Sequence, residues 1–222
     1  MFLRQSIDQR FKLTNNSLNK SNFKPNTGKL FVVSAPSGAG KTTLVTAVIK
    51  RFESKNTLIE RVITFTTKEP KNSEVPGKDY HFISYAEFEK KVSEGFFIEW
   101  SQVYGNYYGS PKYILDHIKQ CQSYILIIDR FGWQKINGTF TFTVPIWIEP
   151  PTLPILKQRL QLRGRDDSSD MQYRINLAIK EIQDENINPL YRYKIINDNF
   201  NQAADELEKI ICVELLGNNL NL

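Results

Sequence analysis

Between residues 35 and 43 the chain reads Ala-Pro-Ser-Gly-Ala-Gly-Lys-Thr-Thr, one residue beyond the apolar run Leu30-Phe31-Val32-Val33. A glycine-rich turn that links a strand to a helix aims several backbone N–H groups at one point, and an anion held there also meets the positive end of the helix dipole. Lys41 adds a mobile cation suited to β- and γ-phosphates, and Thr42 offers a hydroxyl to Mg²⁺. Ala35, Pro36, Ser37, Gly38, Ala39, Gly40, Lys41, Thr42 and Thr43 are therefore the expected triphosphate site. Ala35 stands where such loops usually carry their first glycine. Gly38 and Gly40 keep the backbone freedom that the tight turn needs.

A strand–loop–helix unit needs a sheet to stand in, and the rest of the chain supplies one. Residues 41–53 form a helix with Leu44, Val45 and Val48 turned inward. Residues 58–64 read as a strand that runs into the polar stretch Thr64-Phe65-Thr66-Thr67-Lys68, after which Pro70, Asn72, Pro76 and Gly77 mark a loop. Ser84 with Glu87 makes a capping box for a short helix to about Gly95. An aromatic segment from Phe96 to Tyr108 precedes a helix over 111–120. Tyr124 to Asp129 is a nearly all-apolar strand that ends in a carboxylate. A strand over 139–148 sets Val144, Ile146 and Ile148 on one phase and Trp147 on the other, with Pro145 an awkward member because it cannot donate to a ladder.

Thr152 caps a helix through Leu162 and tolerates Pro154 in its first turn. A charged loop over 163–170 leads to a helix ending near Asp184. Tyr193 to Ile196 is a last strand. Leu207, Ile210, Ile211 and Leu215 mark a closing amphipathic helix with Gly217 at its end. Alternation of this kind predicts an α/β fold, an open and mostly parallel sheet flanked by helices.

At 222 residues the chain can bury one substantial core and carry mobile subdomains on it. No apolar stretch approaches the ~20 residues that cross a bilayer, so no membrane partner is expected. The net charge of +5 is local: Arg4, Arg10, Lys12, Lys20 and Lys24 face Asp8 alone within residues 1–28. The body is thus nearly neutral and shows no nucleic-acid footprint. Cys121 and Cys212 fit neither a metal nor a disulfide pattern and read as free thiols, buried or half-buried, in a reducing cytoplasm. His81 and His117 have no triad or zinc spacing, and His81 reads as a strand residue. Residues 1–28 are a disordered tail, a start codon placed too early, or a targeting peptide; the first is favoured because the motif-bearing part begins cleanly at Gly28-Lys29.

Four further motifs follow the loop in order. They are Thr64-Phe65-Thr66-Thr67-Lys68-Glu69-Pro70-Lys71, Gly77-Lys78-Asp79-Tyr80-His81-Phe82, Phe97-Ile98-Glu99-Trp100 and Gly105-Asn106-Tyr107-Tyr108-Gly109-Ser110. With the loop, this series resembles guanylate kinase, the enzyme family that phosphorylates GMP from ATP, from about Lys29 to Ile211. Glu99 followed closely by Gly105 to Gly109 is the most discriminating part. The chemistry agrees: guanine presents two adjacent donors, the ring N1–H and the exocyclic amine, and one carboxylate accepts both.

The resemblance implies a P-loop kinase core over 29–62, 113–158 and 190–217, a small mixed GMP-binding subdomain over about 63–112 and a helical lid over about 159–189. Residues 218–222 would be a tail. It implies ATP, GMP and Mg²⁺ as the bound molecules and a monomer or homodimer. Thr64 would assist Glu99 at the base, and Lys68, Lys71, Tyr80, Tyr108 and Ser110 would complete the GMP site. Lys41, Lys71, Arg163 and Arg174 would act at the transferred phosphoryl group. Asn197 lies either near the adenine or in a turn. Asp129 would hold Mg²⁺ through water or orient the loop.

Four positions depart from the family pattern. Lys68 and Lys71 replace arginines, which keeps charge but loses the planar bidentate fork. Ile127 replaces an acid that touches guanine, so base reading leans on Glu99 and Thr64. Phe131 stands where glutamine is usual. Two other readings compete, a non-catalytic binding module of this fold and a kinase of phosphorylated sugars. Lys41, Thr42, Arg163 and Arg174 argue against the first, and Glu99 with Tyr107-Tyr108 against the second.

Overall fold

The computed structural model describes residues 28–55, 57, 59–103, 105–162 and 168–216. In chain order these form β1 (Leu30–Ser34), α1 (Lys41–Ser54), β2 (Ile59–Arg61), β3 (Phe65–Thr66), β4 (His81–Phe82), α2 (Tyr85–Ser93), β5 (Phe97–Val103) and β6 (Asn106–Pro111). They continue with α3 (Ile114–Lys119), β7 (Ser123–Ile127), α4 (Arg130–Ile136), β8 (Thr143–Glu149), α5 (Leu153–Leu162), α6 (Ser168–Ile187), β9 (Tyr193–Ile196) and α7 (Phe200–Leu216). The N-terminal segment before Gly28, Arg163, Arg165, Gly217 and the tail 218–222 lie outside the described residues.

Five strands form an all-parallel sheet in the order β2-β7-β1-β8-β9, with β1 at its centre. Such a sheet is buried on both faces, which is why Leu30–Ser34 is fully enclosed and reads as a continuous apolar run. One face, carrying Phe31, Val33, Ile125, Ile146 and Ile195, packs on Leu44, Val48 and Phe52 of α1 and on Leu207 and Ile211 of α7. The other, carrying Leu30, Val32 and Leu126, packs on Ile114 and Ile118 of α3 and on Trp133 and Ile136 of α4.

A second, four-stranded sheet in the order β4-β3-β6-β5 is mixed: β3 pairs β4 in parallel, and the other pairs are antiparallel. Ser84 caps α2 by accepting from the Glu87 N–H, as the capping box requires. Phe88 of α2 then stacks on Phe97 at 4.6 Å and on Tyr107 at 5.2 Å, which closes one face of this sheet.

Several element boundaries move from their sequence reading for tertiary reasons. β2 spans Ile59–Arg61 because it pairs with β7 over three residues before the chain leaves for the second sheet. Pro111 belongs to β6, paired with Phe97, so the helix expected over 111–120 is only Ile114–Lys119. β7 stops at Ile127, and Asp129 instead caps a helix, α4, that periodicity does not reveal. β8 is Thr143–Glu149, a later start than 139, and Pro145 sits inside it against Val32. The Pro145 carbonyl accepts from Arg192 N–H, ahead of β9, so its missing donor faces a stretch with no ladder partner. α6 begins at Ser168, within the segment read as a loop, and continues three residues past Asp184. Cys121 is half-buried and Cys212 buried, both free thiols, and His81 lies on β4 as expected.

Candidate active site

β1 ends at Ser34 and α1 starts at Lys41, and the loop between them turns on Gly40 at φ 91°, a left-handed conformation that glycine adopts without strain. A Cβ at Gly40 would also meet Asn197 Nδ2 at 2.6 Å. That amide donates to the Ala39 carbonyl at 2.7 Å, and the Asn197 carbonyl accepts from Arg159 Nη2 at 2.9 Å. Asn197 therefore buttresses the loop from behind, buried at the end of β9. Arg159, in the last turn of α5, is partly buried and docked on it. Lys41 Nζ donates to the Ala35 carbonyl at 2.9 Å.

The loop opens on a cavity of about 240 Å³ lined from both sheets. Ala35, Pro36, Ser37, Gly38, Gly40, Lys41 and Thr42 form one end, and Thr64, Tyr80, Glu99, Ser101 and Tyr108 form the other. Strand periodicity sorts the second set: along β5, Glu99, Ser101 and Val103 share a face, and along β6, Tyr108 and Ser110 share it. Register then pairs them across the hairpin, Glu99 with Ser110 and Ser101 with Tyr108. The neighbouring Tyr107 turns the other way, into the aromatic packing on α2.

Glu99 is 5% exposed and accepts a hydrogen bond from the Ser110 hydroxyl. Burial pushes its carboxyl up to about 7; the Ser110 bond works downward, and the Asp129 charge adds to the rise. A Cβ at Gly132 would lie 2.7 Å from Glu99 Oε2, so only glycine lets α4 approach the carboxylate this closely. Burial likewise raises Tyr80, and raises Tyr108 to about 12, with Tyr80 as a second cause for the latter. Both phenols are thus held as hydrogen-bond donors.

Asp129 joins the two ends. Its Oδ1 accepts from the Gly132 N–H at 2.7 Å and its Oδ2 from the Ser101 hydroxyl at 2.7 Å. Lys135 of α4 reinforces the junction by donating to the Trp100 carbonyl and lying 4.8 Å over the indole.

Other expected residues lie off the lining. Lys68 Nζ is 2.6 Å from Glu74 Oε1 and 4.9 Å from the Tyr80 ring centroid, and the Lys71 N–H donates to Glu74 Oε2 at 2.9 Å. Burial acts upward on Glu74, but the bonds from Lys68 and Lys71 outweigh it and leave its carboxyl below the ordinary value. Thr43 is exposed on α1. Arg174, on α6, acts electrostatically on the Tyr108 hydroxyl. Ile127 lines the cavity as an apolar wall, and Phe131 is 54% exposed on the outside of α4.

Sequence reasoning passed over Leu177 and Glu181 of α6, which complete the lining. Their spacing from Arg174, three and seven residues, places all three on one helix face and was the signal available.

A glycine-rich loop at the carboxyl end of a parallel sheet, sharing one cavity with a polar pocket built on a second sheet, defines a P-loop kinase for a small acceptor. Comparison with known proteins narrows the class. The Guanylate kinase family model matches residues 27–214. The chain is 38% identical over 192 residues to a guanylate kinase of Clostridium perfringens, covering 86% of each, and 39% identical over 188 residues to one of Clostridium acetobutylicum, covering 84% and 86%. A guanylate kinase crystal structure from Anaplasma phagocytophilum superposes with a TM-score of 0.70 at 27% identity, over 87% of this chain and 89% of that one. The chain belongs to the guanylate kinase family.

Proposed function

We propose that this protein transfers the γ-phosphoryl group of ATP to GMP, giving ADP and GDP, and that the cavity between the two sheets is where it does so. The observation that carries the reading is the single cavity in which the glycine-rich loop faces Glu99, Thr64, Tyr80 and Tyr108. Loop amides and Lys41 receive the triphosphate. Glu99, ionised, accepts both guanine donors, and adenine has no such pair to offer. Tyr80 and Tyr108 donate to the GMP phosphate, with Lys68 reaching it by release from Glu74 and Lys71 from the same loop. Transfer between phosphates is chiefly a matter of positioning and positive charge, so Arg174, with Arg163 before α6, acts when the part of residues 159–189 that carries these arginines closes as a lid.

Mg²⁺ fits the oxygens present. The Thr42 hydroxyl lines the cavity, and Asp129 presents a carboxylate whose oxygens already accept two hydrogen bonds, which suits an outer role through water. When bound, the ion would supply positive charge that neutralises the phosphates during transfer. The described residues contain no helix long and apolar enough to cross a membrane.

An ADP-release assay with ATP and GMP, run beside AMP, CMP and UMP, tests the reading. GMP-dependent turnover whose kcat/KM Glu99→Ala lowers by about 10² is the expected result. ADP release indifferent to the acceptor base would overturn it.

A further inference from the structure

Glu181 has no task in the scheme above, yet it is placed as though it had one. It is 7% exposed, and it lines the cavity rather than the apolar core. On the same helix Ile175 and Ala178 face a hydrophobic cluster, while Leu177 and Glu181 face the cavity. A carboxylate withdrawn from water is costly unless a counter-charge meets it, and a second leucine would have closed this wall more cheaply.

The charged and titratable groups that act on Glu181 are Lys41 from α1, Asp129 and Arg130 at the start of α4, Tyr191 ahead of β9 and Asp184 on its own helix. Arg130 is committed elsewhere. Its Nε donates to Glu185 Oε2 at 3.2 Å and its Nη2 to the carbonyls of Asp184 at 3.2 Å and Asn188 at 2.8 Å. Lys41 is the other cation that acts on Glu181, and it lines the same cavity.

The same Arg130 contacts show why Glu181 is a fixed point. They pin the C-terminal end of α6 to α4, and Trp133 Nε1 adds a bond to the Leu190 carbonyl at 3.1 Å. Glu181 lies one turn from this anchor. Arg174 lies seven residues further out, about 10 Å along the helix at 1.5 Å per residue. One helix face therefore presents a carboxylate to the loop lysine from its anchored half and an arginine to Tyr108 from its outer half.

We propose that Glu181 is a positioning residue for Lys41: its carboxylate, held on the anchored half of α6 and facing the same cavity, draws the ammonium from its place on the Ala35 carbonyl toward the incoming phosphates. The inference rests on Lys41 serving the donor phosphates, as in the proposed function. A lysine that rests on the Ala35 carbonyl with a carboxylate facing the same cavity needs only a short swing to meet a triphosphate, so less orientation is lost at each turnover.

Glu181→Gln keeps the shape and removes the charge. The expected result is a kcat lowered tenfold or more with KM for GMP within twofold, and partial recovery in Glu181→Asp. Asp184→Asn, one turn on and off the cavity lining, should leave both parameters within twofold. A kcat within twofold in Glu181→Gln overturns the proposal. So does a several-fold rise in KM for GMP, because a merely loosened α6 would carry Arg174 away from Tyr108. Should Glu181→Gln fail to give a cooperative melt, amine acylation read by mass spectrometry replaces it. Lys41 should then label several-fold faster in Glu181→Asp than in the wild-type protein, and equal labelling overturns the proposal. No ATP-dependent turnover of GMP by the wild-type protein would instead sink the functional reading, leaving the labelling result to judge Glu181 on its own.

Discussion

The two ends of the cavity are built by opposite means. The loop end is made of contiguous residues, 35–42, and its binding groups are backbone amides at a helix start, buttressed by Asn197. The other end is made of side chains from four places, Thr64, Tyr80, Glu99 and Tyr108, brought together by strand register in a small mixed sheet. Backbone amides recognise charge and tolerate changes of side chain. A pocket built from side chains reads shape and donor pattern, and each of its members matters alone. The loop end should therefore fail in rate and the far end in selectivity.

The sharpest way to break that contrast is at Lys41. Lys41→Met removes the cation at the developing charge, and kcat should fall by about 10³ or more while GMP affinity by titration stays within twofold. A comparable loss of GMP affinity would show the two ends to be one unit. Next comes Glu99→Ala, which leaves both guanine donors and Ser110 without their acceptor. kcat/KM for GMP should fall by about 10², as expected when a site loses a charged hydrogen-bond partner, with KM for ATP little changed.

Acidity gives a third handle. Guanine needs Glu99 ionised, and burial holds it up to about 7, so kcat/KM for GMP should fall as pH drops below 7 and flatten above it. Glu99→Gln should remove that dependence. The same shift has a stability cost. The folded state favours the protonated acid, so the contribution of this group is full below the unfolded value of 4.5 and is lost as pH rises towards 7. Glu99→Gln should then raise Tm at pH 8 by about 2–4 °C, the equivalent of about 1 kcal/mol, which scanning calorimetry can read. The smallest effect is expected at Lys71→Arg, which restores a bidentate fork. kcat/KM for GMP should improve a few-fold, and an unchanged or lower value would count against a loss of bidentate contact at this position.

The contrast also accounts for what could be read before folding. The loop was legible to the residue because its function is local: strand, turn, lysine and hydroxyl are consecutive. The individual motifs of the far end were legible too, but not their arrangement. That Glu99 meets Ser110 while Tyr107 turns away from Tyr108 is a matter of register. α4 went unseen because seven residues with a glycine near the start show little periodicity. Asp129, which ends a strand by sequence, became a helix cap and the bolt between the two sheets, through bonds to Gly132 and Ser101.

By itself the sequence determined the α/β alternation, the glycine-rich loop between β1 and α1 and the candidacy of Glu99, because each depends on residue type and short-range spacing. Only the tertiary structure decided that Glu99 sits dry against Gly132 with a raised pKa, that Asn197 buttresses the loop, and that Glu181 enters the cavity. Burial and approach between elements far apart in the chain are set by packing, and no local pattern carries them.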